Sequence, residues 1–204
     1  MLDFDIMKTS EIKSCADLSA KAFQNYEYFS IFVANEKKRS RFLHTMLEIE
    51  FRLNQKISTI FTAKEDDHIV AVAMLCDPRY HKPTDMEYIR AGFWRCFLTD
   101  LSGVSAWNIL EGKASAPCHQ QTGSWYLSLL TIAPEFKGRG IGSEMLSGCV
   151  IPYVRENNGT SLCLFTNSEE NRAFYRKNGF CEFHEQYFEH RGRKLGSWSY
   201  SRRV

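Results

Sequence analysis

At 204 residues, with 44% hydrophobic and 25% charged side chains, the chain has the length for one sizeable core and is too apolar for extended disorder. Its formal net charge of +2 removes the charge argument for a nucleic-acid or anionic-membrane partner, and neither is expected. The seven cysteines are scattered with no CxxC pair, several of them inside apolar runs, which argues against a disulfide framework or a zinc site, so no metal is expected.

The opening segment, MLDFDIMKTSEIK, lacks the apolar core of a secretory signal. No run approaches the length of a bilayer span. A reduced, cytoplasmic protein is the expectation. Leu2 to Lys8 alternates as a short strand, and Thr9 and Ser10 read as the N-cap region of a helix through Cys15, Leu18, Ala22 and Phe23. Glu36 to Asn54 reads as a second helix, with Phe42, Met46, Ile49 and Leu53 on one stripe. Ile57 to Lys64 and Ile69 to Cys76 read as paired strands about a Glu65 to His68 turn. From Asp77 to Gln121 the pattern is least regular; helices are expected at Asp85 to Leu101 and Val104 to Lys113, covering one side of a sheet.

Trp125 to Ala133 is apolar on both faces, as a central strand is, and Pro134 ends it. A helix is expected from Ile141 to about Arg155, then a buried strand from Ser161 to Thr166 and a helix from Glu169 to Lys177, closed by Asn178-Gly179. A hairpin of Phe180 to Glu189 and Lys194 to Ser201 ends the chain; its arginines are read as a solvated edge. With no repeat or linker in view, residues 1–204 are read as a single α/β domain with a mixed, mostly antiparallel central sheet flanked by helices.

Between the central strand and its helix lies Lys137-Gly138-Arg139-Gly140-Ile141-Gly142-Ser143. Glycine lets the backbone approach a ligand, and a helix start offers free N–H groups and the positive end of the dipole to an anion. Lys137 and Arg139 add charge, so the loop suits a phosphate. It lacks the GKS/GKT ending of a Walker A loop, and its GxGxG spacing is not the dinucleotide fingerprint.

The stretch LLTIAPEFKGRGIGSEML, Leu129 to Leu146, resembles the acetyl-CoA signature [Q/R]-x-x-G-x-[G/A] of the GNAT acetyltransferase superfamily, with Lys137 at the first position and Gly140 and Gly142 at the small ones. NRAFYRKNGF, Asn171 to Phe180, resembles the superfamily's closing helix motif, and Trp125-Tyr126-Leu127 with Ala22 to Tyr26 is similar to the puromycin N-acetyltransferase type. The resemblance implies the GNAT acyl-CoA N-acyltransferase fold, acetyl-CoA as co-substrate, a primary amine as acceptor, and a monomer or homodimer. It implies that the strand before the loop splays from its neighbour, that Leu130, Thr131 and Ile132 present backbone groups to the pantetheine arm, and that the N–H groups of Gly138, Arg139, Gly140, Ile141, Gly142 and Ser143 hold the pyrophosphate. Tyr175 takes the place of the tyrosine that protonates the departing thiolate, and Ser168 or Asn171 that of a polar contact to the cofactor or of a helix cap. The strand Leu164-Phe165-Thr166 offers no acid for the general base; Glu111, His119 and Tyr126 are the substitutes in reach of the reading, beside a water relay. The acceptor is expected to be a small molecule if Phe93, Trp94, Trp107 and Trp125 close an aromatic pocket, and a peptide if the site is a wide acidic groove. A non-catalytic acyl-CoA-binding domain is the third reading.

Overall fold

The computed structural model describes residues 2–204. The chain runs β1 (Asp3–Ile6), α1 (Ile12–Phe23), α2 (Glu27–Ser30), α3 (Glu36–Asn54), β2 (Thr59–Glu65), β3 (His68–Cys76), α4 (Asp85–Arg90), α5 (Trp94–Phe97), α6 (Leu101–His119), β4 (Trp125–Ile132), α7 (Ile141–Met145), α8 (Ile151–Glu156), β5 (Ser161–Thr166), α9 (Glu169–Lys177), β6 (Cys181–His190) and β7 (Arg193–Arg203). The strands form one seven-stranded sheet in the order β1-β2-β3-β4-β5-β7-β6. Every neighbouring pair is antiparallel except β4 and β5. The β2–β3 hairpin turns on Asp66 and Asp67, both left-handed at φ 50° and 63°, a conformation that short acidic side chains tolerate.

Helices cover both faces. Val72, Met74 and Leu129 join the core beneath α1, α3 and α6, whereas Ala71, Ala73, Leu75 and Leu127 face α7, α8 and α9. On β3 the split follows strand alternation. On β4 it does not, since Leu127 and Leu129 share parity yet face opposite ways. The cause is a bulge: Met74 pairs with Leu129 and Leu75 with Leu127, so Ser128 is the extra residue and its hydroxyl donates to Met74 O at 3.2 Å. Downstream of the bulge, Leu130 and Ile132 are thereby turned to the α7–α9 face.

Three local readings of the sequence need correction. Thr9 and Ser10 do not cap α1; they start a short 3-10 turn, closed by Lys8 N–H donating to the Glu11 carboxylate at 2.8 Å. Residues 85–101 do not form one helix, because Gly92 at φ +93° turns the chain between α4 and α5. The next helix runs past Lys113 to His119, with Pro117 inside it. Proline cannot donate to the carbonyl four residues back, which is that of Lys113, and the Gln186 side-chain amide on β6 donates to it instead at 3.1 Å. The helix after the glycine loop is continuous from Ile141 to Glu156 through a π turn at Leu146–Val150, just ahead of Pro152, where a missing N–H and ring clash disturb the ladder in the same way.

Candidate active site

The glycine loop delivers a cluster of free backbone donors. Gly138 and Gly140 sit at φ +79° and +83°, and a Cβ built on either would meet nothing within 4 Å. Gly140 is the left-handed residue before α7, and the first helical bond is Glu144 N–H to Gly140 O at 3.0 Å. The N–H groups of residues 138–143 make no hydrogen bond among the described residues. Gly142 serves packing: its Cβ would stand 3.1 Å from the Phe174 ring, so glycine lets α7 approach α9.

Above the loop, β4 and β5 part. They pair only at Trp125↔Leu162 and Tyr126↔Cys163. Beyond that, β4 stays with β3 as far as Ile132, and β5 stays with β7 through Thr166. A wedge therefore opens along the β5 side of Leu127 to Ile132. Ala133 N–H donates to Val70 O at 2.8 Å, so by antiparallel alternation the backbone of Thr131 also turns to β3 while the N–H and C=O of Leu130 and Ile132 point into the wedge. Thr131 thus does not present its backbone as the sequence reading expects, and its hydroxyl instead bonds Ser19 Oγ at 2.9 Å.

The wedge and loop bound a cavity of about 350 Å³ that brings together Leu130, Thr131, Ile132, Lys137, Gly138, Gly140, Ile141, Gly142, Ser143, Ser168, Asn171 and Tyr175. Ser168 caps α9, its hydroxyl accepting from Asn171 N–H at 3.4 Å. The Asn171 amide donates to Thr166 Oγ1 at 3.1 Å, and the Tyr26 hydroxyl reaches the same oxygen at 3.1 Å and accepts from Asn167 N–H at 2.9 Å. Tyr175 is buried against Phe174, Phe180 and Tyr200, and burial raises the pKa of its phenol. Its hydroxyl has no hydrogen-bond partner among the described residues. Arg139 departs from the group: its guanidinium is turned out onto the Glu65 carboxylate, at 2.6 and 3.0 Å, and over the Phe136 ring. Its charge is spent there, and Lys137 and Lys177 are the cations that line the cavity.

A second cavity, of about 450 Å³, lies on the α3–α6 side of the sheet. Neighbouring stretches line the two: Tyr26 and Tyr28, Leu130 and Leu129, with the Phe23 ring of one wall tilted against the Phe29 ring of the other at 5.2 Å. The two spaces abut where the strands part.

Three further observations fix the family of folds. Residues 100–182 match the model of the acetyltransferase (GNAT) domain. Superposition over 97% of this chain and 94% of the other gives a TM-score of 0.67, at 18% identity, with a protein from Corynebacterium glutamicum described as histone acetyltransferase HPA2 and related acetyltransferase. The ribosomal-protein-S18-alanine N-acetyltransferase of Escherichia coli aligns over 100% and 94% of the chains at 12% identity and a TM-score of 0.60. The chain carries a GNAT acetyltransferase fold. The C-terminal condensation domain of Ebony, solved with beta-alanyl-dopamine, shares it over 100% and 99% of the chains at 10% identity and a TM-score of 0.70. No curated protein matches the sequence.

Within this GNAT fold the second cavity gathers the three substitute bases, Glu111, His119 and Tyr126, with Phe93, Trp94 and Trp107. Trp125 is absent from it; its ring packs in the core on the other face, edge-on to Tyr153. Tyr126 is buried with its ionisation pushed far up, which removes it as a base, and His119 stacks on its ring at 4.8 Å. The sequence reading passed over one acidic residue of this lining. Glu50 of α3 reaches the cavity, where its Oε2 accepts from Tyr88 Oη at 3.0 Å and Asn54 Nδ2 at 2.9 Å while no hydrogen bond among the described residues involves Oε1. Burial pushes its pKa up to about 7, against the pull of Lys82 and the Tyr88 hydrogen bond. Glu111 is tied to Lys82 at 3.3 Å.

Proposed function

We propose that this protein is an acetyl-CoA-dependent N-acetyltransferase acting on a small primary amine. The observation that carries the reading is the wedge between β4 and β5, with free donors of the glycine loop at one end and a second, carboxylate-bearing cavity on the other side. The residues fit the co-substrate: open space at Gly138 and Gly140 beside unbonded N–H groups suits a pyrophosphate, and the outward backbone of Leu130 and Ile132 suits an extended amide-bearing arm. Acetyl-CoA supplies an activated acyl group and a thiolate leaving group.

In this reading Ser168 and Asn171 brace the start of α9, and Tyr26 ties that start to the wedge. Tyr175 Oη holds a proton for the sulfur, on which charge develops as the tetrahedral intermediate collapses and the C–S bond breaks. Glu50 Oε1 accepts the proton of the arriving ammonium, the task of a base whose pKa lies near working pH. The aromatic lining of the second cavity and the likeness to the puromycin type support a small acceptor over a polypeptide. The seven free cysteines accord with a reducing, cytoplasmic setting for one domain working as a monomer or homodimer.

The test is thiol release from acetyl-CoA across a panel of primary amines and amino-terminal peptides. Release with small amines supports the proposal; release with peptides alone makes it a peptide acetyltransferase; binding of acetyl-CoA without release by any acceptor makes it a non-catalytic acyl-CoA-binding protein.

Two substitutions probe the loop. Gly140→Val places a β-branched side chain in the phosphate position and in a left-handed backbone; acetyl-CoA affinity is expected to fall at least about tenfold, with stability reduced by about 1–2 kcal/mol. Calorimetry on folded variant with unchanged affinity sinks the phosphate site. Arg139→Ala, by contrast, removes an exposed pair with Glu65 worth about 0–1 kcal/mol and should leave acetyl-CoA affinity near wild type, whereas Lys137→Ala should weaken it. The reverse order would place Arg139 on the ligand.

A further inference from the structure

The second cavity holds two buried donors that make no hydrogen bond of normal geometry among the described residues. The Tyr28 hydroxyl and the Trp107 indole N–H have no hydrogen-bond partner among the described residues, and these side chains are only 5% and 6% exposed. Both line the cavity. Their rings lie 6.5 Å apart, close enough that the indole N–H favours the ionised phenol, yet no hydrogen bond joins them. Buried polar groups are almost always paired, and leaving one unpaired is costly. An indole N–H only donates, so its missing partner is an acceptor.

The walls narrow the rest of the ligand. Trp107 packs against Phe29 and Phe42 at 5.9 and 5.2 Å, and Tyr28 against Phe165 at 6.0 Å, which makes this end of the cavity a set of tilted and edge-on rings suited to a flat aromatic body. Three carboxylates, Glu50, Asp85 and Glu111, face the cavity against one lysine, Lys82. That balance draws a cation and repels an anion. An aromatic wall, two donors that make no hydrogen bond among the described residues and an acidic lining together describe one molecule.

We propose that the acceptor is an aromatic monoamine whose ring carries a hydrogen-bond acceptor such as a hydroxyl. The ring packs among the aromatic walls, the ring oxygen accepts from Trp107 Nε1 and meets Tyr28 Oη, and the acidic lining attracts the ammonium. This rests on the acetyltransferase reading for its role as acceptor, but the recognition itself is a binding property and is tested as one.

The experiment is calorimetry with 2-phenylethylamine, its 3- and 4-hydroxy analogues and 1-hexylamine, each titrated with and without CoA. One hydroxylated analogue is expected to bind about tenfold tighter than 2-phenylethylamine, the worth of a neutral hydrogen bond, and hexylamine to be weaker than both. Trp107→Phe should erase the hydroxyl preference while keeping ring binding. Tyr28→Phe deletes an unpaired hydroxyl without emptying its site, so it keeps the test alive if the tryptophan variant fails to fold, and it should reduce the same preference. Equal affinity for the hydroxylated and plain rings, affinity for hexylamine equal to theirs, or no binding of any ring amine in either condition overturns the proposal. Ring amines that bind in the expected order but are not acetylated leave the recognition standing and overturn the transferase reading instead.

Discussion

Tyr175→Phe is expected to lower kcat about a hundredfold to ten-thousandfold, the usual worth of a general acid, while acetyl-CoA binds nearly as well as before. The geometry separates these effects. The ring is packed against Phe174, Phe180 and Tyr200, and phenylalanine keeps all of that. The hydroxyl has no hydrogen-bond partner to lose among the described residues, so its removal leaves nothing buried and unpaired, and stability should be unchanged. A group that acts only as the thiolate leaves lowers kcat and kcat/KM by equal factors. Burial raises the phenol's ionisation, so the wild-type proton stays in place through neutral and mildly alkaline pH, and activity should show no alkaline fall from this residue there. Stopped-flow turnover on an acceptor for which chemistry limits the rate decides it. Near wild-type kcat in the variant would make Tyr175 a packing residue.

The parts of this arrangement that sequence revealed are those set by local rules. The ranges of α3, β5 and α9 follow from apolar periodicity and end signals: Asn35 and Ser168 cap their helices, and Asn178-Gly179 closes α9, with Gly179 left-handed. The glycine loop was legible because its chemistry lies in consecutive residues. The wedge was not, since it depends on how far β4 follows β3 past a bulge at Ser128, and nothing in WYLSLLTI marks which residue is the extra one. The side chain of Arg139, though not its free backbone N–H, was misread as charge for the phosphate because its partner, Glu65, is far away in sequence and near only in the fold. Glu50 did leave a trace. Phe42, Met46, Glu50 and Asn54 follow one another every four residues, so two polar groups continue an otherwise apolar stripe of α3. A carboxylate on the core face of a helix is the kind of cost that folds carry at functional sites.

That cost yields the sharpest prediction for Glu50. Burial pushes its carboxyl up to about 7 in the folded protein, well above the ordinary carboxylate range, so the folded state binds the proton more tightly than the unfolded chain does. The sign follows from linkage: stability is greatest below the unfolded value and is lost as pH rises through about 7, where the buried carboxylate must carry its charge. Glu50→Gln carries no charge at any pH, and an amide oxygen can still accept from Tyr88 Oη. Urea unfolding should therefore find the variant close to wild type at pH 4 and more stable at pH 8, by an amount on the order of 1–3 kcal/mol. Lys82 and Glu111, the charged groups facing it, remain in both proteins and cancel from the comparison. Activity should move the other way. The wild-type rise of kcat/KM with pH should carry an ionisation near 7 from this group. The variant should lose that ionisation and about a hundredfold or more of rate, as expected when a general base is removed. A variant that is more stable at pH 8 yet fully active would keep Glu50 as a buried acid and pass the proton to another group. A variant destabilised equally at both pH values would show that the carboxyl is solvated and that its pKa is ordinary.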